Sequence, residues 1–126
     1  MTEQTELSGR TILVVEDEMM LAMMLEDMLQ DAGCAVVCVT SVGQGLLALN
    51  QTRFDAAVLD VNLNGVRSYL LADRLVERGI PFIFATGYGD AQVRELYPER
   101  PIVTKPYLEQ DIVRALVKVI ESNAGS

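Results

Sequence analysis

The chain of 126 residues contains no histidine. This absence excludes catalytic arrangements that need an imidazole, such as Ser-His-Asp and Cys-His sites, and it excludes most kinds of zinc site. It also means that the protein cannot donate a phosphoryl group from a phosphohistidine of its own. Candidate chemistry must therefore be sought among carboxylates, hydroxyls and amines.

Cysteine is scarce, because only Cys34 and Cys38 occur. If residues 35–39 form a strand, the two cysteines lie roughly 13 Å apart. That distance is longer than a disulfide can span. We therefore expect two free thiols with structural roles.

Positive charge is also in short supply, with 10 Lys and Arg against 18 Asp and Glu and a formal net charge of -8. Such a chain repels phosphate backbones and anionic lipid, so we expect neither nucleic acid nor a membrane as partner. No apolar run is long enough to span a bilayer, and residues 1–10 are too polar for a secretory signal. These features predict a cytoplasmic location.

What the chain has in abundance is apolar side chains, which make up 50% of its residues. That proportion and the chain length suit one domain with a substantial core. We expect a flexible tail over residues 1–9, the domain over 10–121 and a flexible end over 122–126.

Short apolar segments rich in β-branched residues alternate with segments of helical periodicity. The predicted strands are 11–15, 35–39, 55–59, 81–85 and 101–104, and the predicted helices are 18–31, 41–50, 68–78, 90–96 and 108–121. This alternation is typical of an α/β fold, in which helices cover both faces of a five-stranded parallel sheet.

Polar side chains stand just past the predicted strands, at the sheet edge where sites form in such folds. They are Glu16 and Asp17 after the first strand, Asp60 after the third, Thr86 after the fourth and Lys105 after the fifth. Three carboxylates in one crevice repel one another, so at least one pKa should rise unless a cation is present. Oxygen ligands with room for water favour Mg²⁺.

Such a site suits phosphoryl transfer to a carboxylate. Asp60 would be the nucleophile, while Mg²⁺ and Lys105 neutralise charge on the transferred group. The Thr86 hydroxyl could then move onto the new phosphate, which adds roughly one negative charge, and draw its loop inward.

Four segments together resemble the response regulator receiver domain: 14–18 (VVEDE), 59–62 (LDVN), 85–87 (ATG) and 104–106 (TKP). The resemblance implies a flavodoxin-like fold with strand order 2-1-3-4-5 and phosphorylation of Asp60 by a histidine kinase or a phosphotransfer protein. It further implies a cis peptide between Lys105 and Pro106. The implied Mg²⁺ ligands are Glu16, Asp17, Asp60 and the main-chain carbonyl of Asn62.

The chain departs from the family pattern at Ile102, where a switch Tyr or Phe is common. Segment 84–88 (FATGY) and Tyr107 resemble the alphaproteobacterial FATGUY subgroup, which is associated with stand-alone regulators of general stress signalling. The resemblance implies that the loop after Thr86, which contains Gly87 and Tyr88, transmits the signal. It also implies that Asn62 and Tyr88, which flank the site, tune the phosphate lifetime. Tyr107 is a candidate substitute for the missing aromatic.

The first predicted helix is rich in methionine, an adaptable residue at binding surfaces. Helical spacing places Met24 and Met28 near the core stripe and Met19 and Met23 on the opposite side. We hypothesise that Met19, Met20 and Met23 help to dock the phosphodonor, although ordinary surface methionines would look the same.

Several functions share this site. A phosphorylation switch or relay is preferred, and a phosphate sink without an output surface is the alternative. A phosphohydrolase that uses an aspartyl phosphate is disfavoured, because it needs Asp where Asn62 stands. A receiver-like module that binds partners without phosphorylation would not need the complete set of site residues.

Overall fold

The computed structural model describes residues 7–63, 65–86, 91–104 and 107–124. These residues include the strands β1 (Thr11–Val15), β2 (Ala35–Val39), β3 (Ala56–Asp60), β4 (Asn62–Leu63), β5 (Val66–Arg67), β6 (Phe82–Thr86) and β7 (Ile102–Thr104). They also include the helices α1 (Met19–Asp31), α2 (Val42–Gln51), α3 (Tyr69–Glu77), α4 (Ala91–Leu96) and α5 (Glu109–Ala124).

The central sheet is parallel and has the order β2-β1-β3-β6-β7. With the five long strands numbered along the chain, this is the order 2-1-3-4-5, and the predicted flavodoxin-like fold is confirmed. Its middle strands are apolar on both faces because helices cover both faces. The carboxyl ends of the strands therefore meet at one edge of the sheet.

Two apolar cores lie on opposite faces of this sheet, because successive strand residues point to opposite sides. The α1/α5 face holds Ile12, Val14, Ala56, Val58, Ile83 and Ala85 together with Leu25, Leu29, Ile112 and Leu116. The α2/α3 face holds Leu13, Val15, Ala57, Leu59, Phe82 and Phe84 together with Leu49, Leu71 and Leu75.

The predicted tail is wrong for its last residues. Leu7 is fully buried in the core of the α1/α5 face, and its carbonyl oxygen accepts a hydrogen bond from the main chain of Arg10. The main-chain N–H of Gly9 donates to Gly33, which follows α1. Folded structure thus begins before residue 10, because one leucine among polar neighbours reaches the core.

Other element boundaries also differ from the prediction. Helix α5 continues to Ala124, beyond the predicted end at residue 121. Strands β4 and β5, which the sequence pattern did not predict, form a short antiparallel hairpin after Asp60. Two-residue strands are too short to show an alternating pattern.

Helix α2 forms despite two glycines. The Ser41 side chain caps it by accepting a hydrogen bond from the main-chain N–H of Gln44. A Cβ atom on Gly45 would lie 2.6 Å from a methyl carbon of Leu71 in α3. The glycine therefore permits close contact between α2 and α3.

Both cysteines are free thiols, as predicted. Burial raises the pKa of Cys34, and it raises the pKa of Cys38 to about 11 with a smaller contribution from Glu26. Within the described residues, no helix has the length and apolar character needed to cross a membrane.

Candidate functional site

Three carboxylates meet at the carboxyl edge of the sheet. Glu16, Asp17 and Asp60 each offer an oxygen, and these oxygens lie within 4.8 Å of one another. Glu16 is only 1% exposed and Asp60 only 6%. Burying like charges so closely is unfavourable unless a cation offsets them.

The end of β1 and the start of α1 hold Glu16 in place. Its main-chain N–H donates to the carbonyl of Val39 at 3.0 Å, which ties it to the end of β2. Its Oε2 atom accepts a hydrogen bond of 3.1 Å from the main-chain N–H of Glu18, the residue that precedes α1. The positive end of the helix dipole therefore faces this carboxylate.

Asp60 is the last residue of β3, between β1 and β6. Its Oδ1 atom accepts a long hydrogen bond of 3.4 Å from the main-chain N–H of Asn62. The hairpin that starts at Asn62 is held down by buried Leu63 and by a 2.9 Å bond from the main-chain N–H of Ser68 to the carbonyl of Val61. These contacts fix the path of the main chain that follows Asp60.

The acid cluster fits Mg²⁺. All three side chains supply oxygen ligands, which hard cations of this kind prefer, and no soft ligand stands among them. Two of the carboxylates are withdrawn from water, so a divalent ion would relieve their repulsion. The cluster has the donor set, the spacing and the burial that suit a Mg²⁺ site.

Thr86 is buried at the end of β6. It pairs with Thr104 of β7, and its neighbour Ala85 pairs with Asp60. The structure therefore brings Thr86 to the strand end beside Asp60, as the sequence predicted. By strand alternation it continues the series of Phe82 and Phe84, so it borders the α2/α3 face.

Several predicted site residues lie outside the described residues. They are Lys105, which was expected to approach the phosphoryl group, Pro106 and its cis peptide bond, and the loop residues Gly87 and Tyr88. Their predicted roles stay predictions.

Ile102 and Tyr107 lie on opposite faces of the sheet. Ile102 packs against the core of the α2/α3 face, whereas Tyr107 is buried in the core of the α1/α5 face. Tyr107 therefore does not make the contacts of an aromatic residue at position 102, and its role as a functional substitute stays a prediction. Burial raises the pKa of Tyr107, and nearby Glu16 and Asp60 raise it further.

The family model of the response regulator receiver domain matches residues 12–117 of this chain. The chain belongs to this family. The transcriptional regulatory protein TdiR of Thauera aromatica is 30% identical over 121 residues, which are 92% of this chain and 53% of TdiR. The receiver spans about half the length of the curated relatives it matches.

Solved receiver structures are similar to this one. The solution structure of SdrG from Sphingomonas melonis is 39% identical, with a TM-score of 0.76, over 86% of this chain and 97% of SdrG. The receiver domain of the sensor histidine kinase PA1611 from Pseudomonas aeruginosa is 26% identical, with a TM-score of 0.79, over 90% and 99% of the two chains. The latter structure has a magnesium ion coordinated in its active site cleft.

The predicted methionine surface of this receiver is exposed. Met19, Met20 and Met23 are 71%, 77% and 56% exposed. Met28 packs against the core as predicted, while Met24 is more exposed than its position near the core stripe suggested. Met19 and Met20 begin α1 directly after Glu18, so the methionine surface borders the acid cluster.

Sequence reasoning missed Tyr97, which follows α4. Its ring centre lies 5.4 Å from that of Phe84 and 6.1 Å from that of Phe82, and its hydroxyl bonds to Asp73 of α3. Tyr97 thus places an aromatic ring on the α2/α3 face, where Ile102 has none. An isolated tyrosine before a proline carries no pattern that would have revealed this position.

Proposed function

We propose that this receiver accepts a phosphoryl group on Asp60 from the phosphohistidine of a histidine kinase or a phosphotransfer protein, in a reaction that depends on Mg²⁺. It then acts as a switch or relay on a separate partner. The burial of Asp60 within 4.8 Å of Glu16 and Asp17 carries this proposal. A cytoplasmic location accompanies it, because the two free thiols suit a reducing compartment.

In this reaction a carboxylate oxygen of Asp60 attacks phosphorus. The new O–P bond forms as the P–N bond to the donor imidazole breaks, and the imidazole nitrogen keeps the electron pair. Glu18 holds Glu16 through its main-chain N–H, so Glu16 need not reorganise during the transfer. Bound Mg²⁺ would supply charge neutralisation at the phosphoryl oxygens.

The remaining site residues take the roles that the family resemblance implies. The main-chain carbonyl of Asn62 would complete the Mg²⁺ ligands, and the Lys105 ammonium would neutralise the phosphoryl oxygens. The hydroxyl of Thr86 donates to the phosphoryl group from the neighbouring strand end. Support for this last role comes from the pairing of Asp60 with Ala85, which precedes Thr86.

The output of the proposed switch runs through the loop after Thr86, which contains Gly87 and Tyr88, as in the FATGUY subgroup. Ile102 supports this proposal, because its aliphatic side chain offers no ring that could rotate when Thr86 moves. General stress signalling is the process in which such a regulator would act.

Intact mass spectrometry tests the phosphoacceptor function. With Mg²⁺ and acetyl phosphate, we expect the protein to gain the mass of one phosphoryl group. Asp60→Asn should abolish this gain, whereas Asp27→Asn, which changes an exposed carboxylate on α1, should not. Equal labelling of the Asp60→Asn protein would contradict the proposal.

The same sample separates the alternatives. A switch should bind a partner differently before and after phosphorylation, while a phosphate sink would show labelling without any such change. Repeated turnover of assorted phosphomonoesters would instead favour a phosphohydrolase.

A further inference from the structure

Tyr107 ends in a buried hydroxyl. The residue is 3% exposed, and its oxygen has no partner among the residues that the structure describes. A buried hydroxyl without a partner is unfavourable, and most such groups in native proteins are satisfied. Among the described residues, this tyrosine therefore has a hydrogen bond still to donate.

The hydroxyl belongs to the same face of the sheet as the acid cluster. Asp60 continues the alternation of Ala56 and Val58, which lie in the core of the α1/α5 face with Tyr107. Glu16, directly after β1, continues the alternation of Ile12 and Val14 on that face. The two carboxylates therefore belong to the face of the sheet whose core contains Tyr107.

Electrostatics agrees with this placement. The charges that act on the Tyr107 hydroxyl are those of Glu16, Asp60 and Glu18, and each of them, like burial, raises its pKa. A tyrosine hydroxyl donates one hydrogen bond, and oxygens that carry negative charge are its strongest acceptors.

We propose that Tyr107 is a positioning residue that donates a hydrogen bond to an oxygen of phosphorylated Asp60. This inference rests on the proposed phosphoacceptor function. Phosphorylation lengthens the Asp60 side chain and adds acceptor oxygens with negative charge, which brings an acceptor within reach of the buried donor. The Tyr107 hydroxyl then donates a hydrogen bond to the phosphoryl group. Tyr107 therefore stabilises the phosphorylated state, although it is not a metal ligand.

Tyr107→Phe tests this inference, because it removes the hydroxyl and keeps the ring. The probe is beryllium fluoride with Mg²⁺, a mimic of a phosphoryl group on a carboxylate, and its apparent affinity is measured by thermal shift. We expect the variant to bind the mimic about tenfold more weakly than the parent protein, as fits the loss of a hydrogen bond to a charged group. Without Mg²⁺ and the mimic, its melting temperature should be equal or higher.

Tyr97→Phe is the matched control, because the hydroxyl that it removes donates to Asp73 on the other face of the sheet. This control should melt at a lower temperature than the parent and bind the mimic equally well. Unchanged affinity in Tyr107→Phe would overturn the inference, and so would a lower melting temperature of that variant without ligands. If the parent protein itself does not respond to the mimic, the phosphoacceptor function fails as well.

Discussion

Phe84 and Ile102 are paired across β6 and β7, and both side chains pack into the core of the α2/α3 face. Thr86 lies two residues after Phe84 in β6. A side chain at position 102 is therefore well placed to respond to a movement of that threonine. An aliphatic side chain fills it here. The ring of Tyr97 also packs on this side, and its centre is 5.4 Å from that of Phe84.

The hydrogen bond from the Tyr97 hydroxyl to Asp73 should stabilise the contact between α3 and the segment after α4. We expect Tyr97→Phe to lower the free energy of unfolding by about 1 kcal/mol. Chemical denaturation of Tyr97→Phe, Asp73→Asn and the double variant measures the coupling between the two side chains. Additive effects of the two substitutions would show that the bond contributes nothing.

The fold and much of the site could be predicted from the sequence, because strand ends and apolar runs are local patterns. Asp60 and Thr86 were placed correctly for this reason, since parallel strands bring their carboxyl ends together. Neither the burial of Leu7 nor the face on which Tyr107 lies is a local property. Both depend on how the helices pack over the sheet, which periodicity does not reveal.

Magnesium should stabilise the folded protein. An ion that relieves repulsion in the acid cluster binds only the folded state, so Mg²⁺ at about 100 times its dissociation constant should add about 2.7 kcal/mol. Without Mg²⁺, Asp60→Asn should be more stable than the parent by about 1 kcal/mol, because one buried charge is gone. Thermal melts with Mg²⁺ and with EDTA measure both effects.

Asp27→Asn provides the comparison for this pair of melts, because Asp27 is exposed on α1. It should respond to Mg²⁺ as the parent does. A parent protein whose melting temperature is the same in Mg²⁺ and in EDTA would contradict the assignment of the metal site.

Gly33 should resist substitution. Its backbone has a φ of 95°, which is unfavourable for any residue with a side chain. A Cβ atom at this position would lie 2.9 Å from Oγ and 3.0 Å from Cα of Ser8. We expect Gly33→Ala to lower the free energy of unfolding by about 3 kcal/mol, as backbone strain and a clash combine. Gly79 has φ of 69° with open space around it, so Gly79→Ala should cost only about 1 kcal/mol. Equal losses in urea denaturation would show that the contact with Ser8 is unimportant.

Alkaline pH should destabilise the protein through Cys38. Its pKa is raised from 9.0 to about 11, so the folded state keeps a proton that the unfolded state releases. Stability is then fully present below pH 9 and is lost as the pH rises towards 11. Because the thiol is only half-buried, we expect this residue to account for about 1 kcal/mol of the loss. Denaturation of the parent and of Cys38→Ala between these pH values measures it, and identical profiles would contradict the assignment.

The exposed methionines of α1 should matter for the protein donor and not for a small one. A lysine at position 23 places a charge in an apolar surface beside the acid cluster, where the imidazole of the donor must approach Asp60. We expect Met23→Lys to reduce the rate of phosphotransfer from the cognate donor about tenfold at limiting concentration, while labelling by acetyl phosphate stays unchanged. Val76→Lys changes an exposed apolar residue of α3 and should leave both reactions intact. If phosphotransfer from the cognate donor to Met23→Lys is as fast as to the parent, the methionine surface is not the docking site.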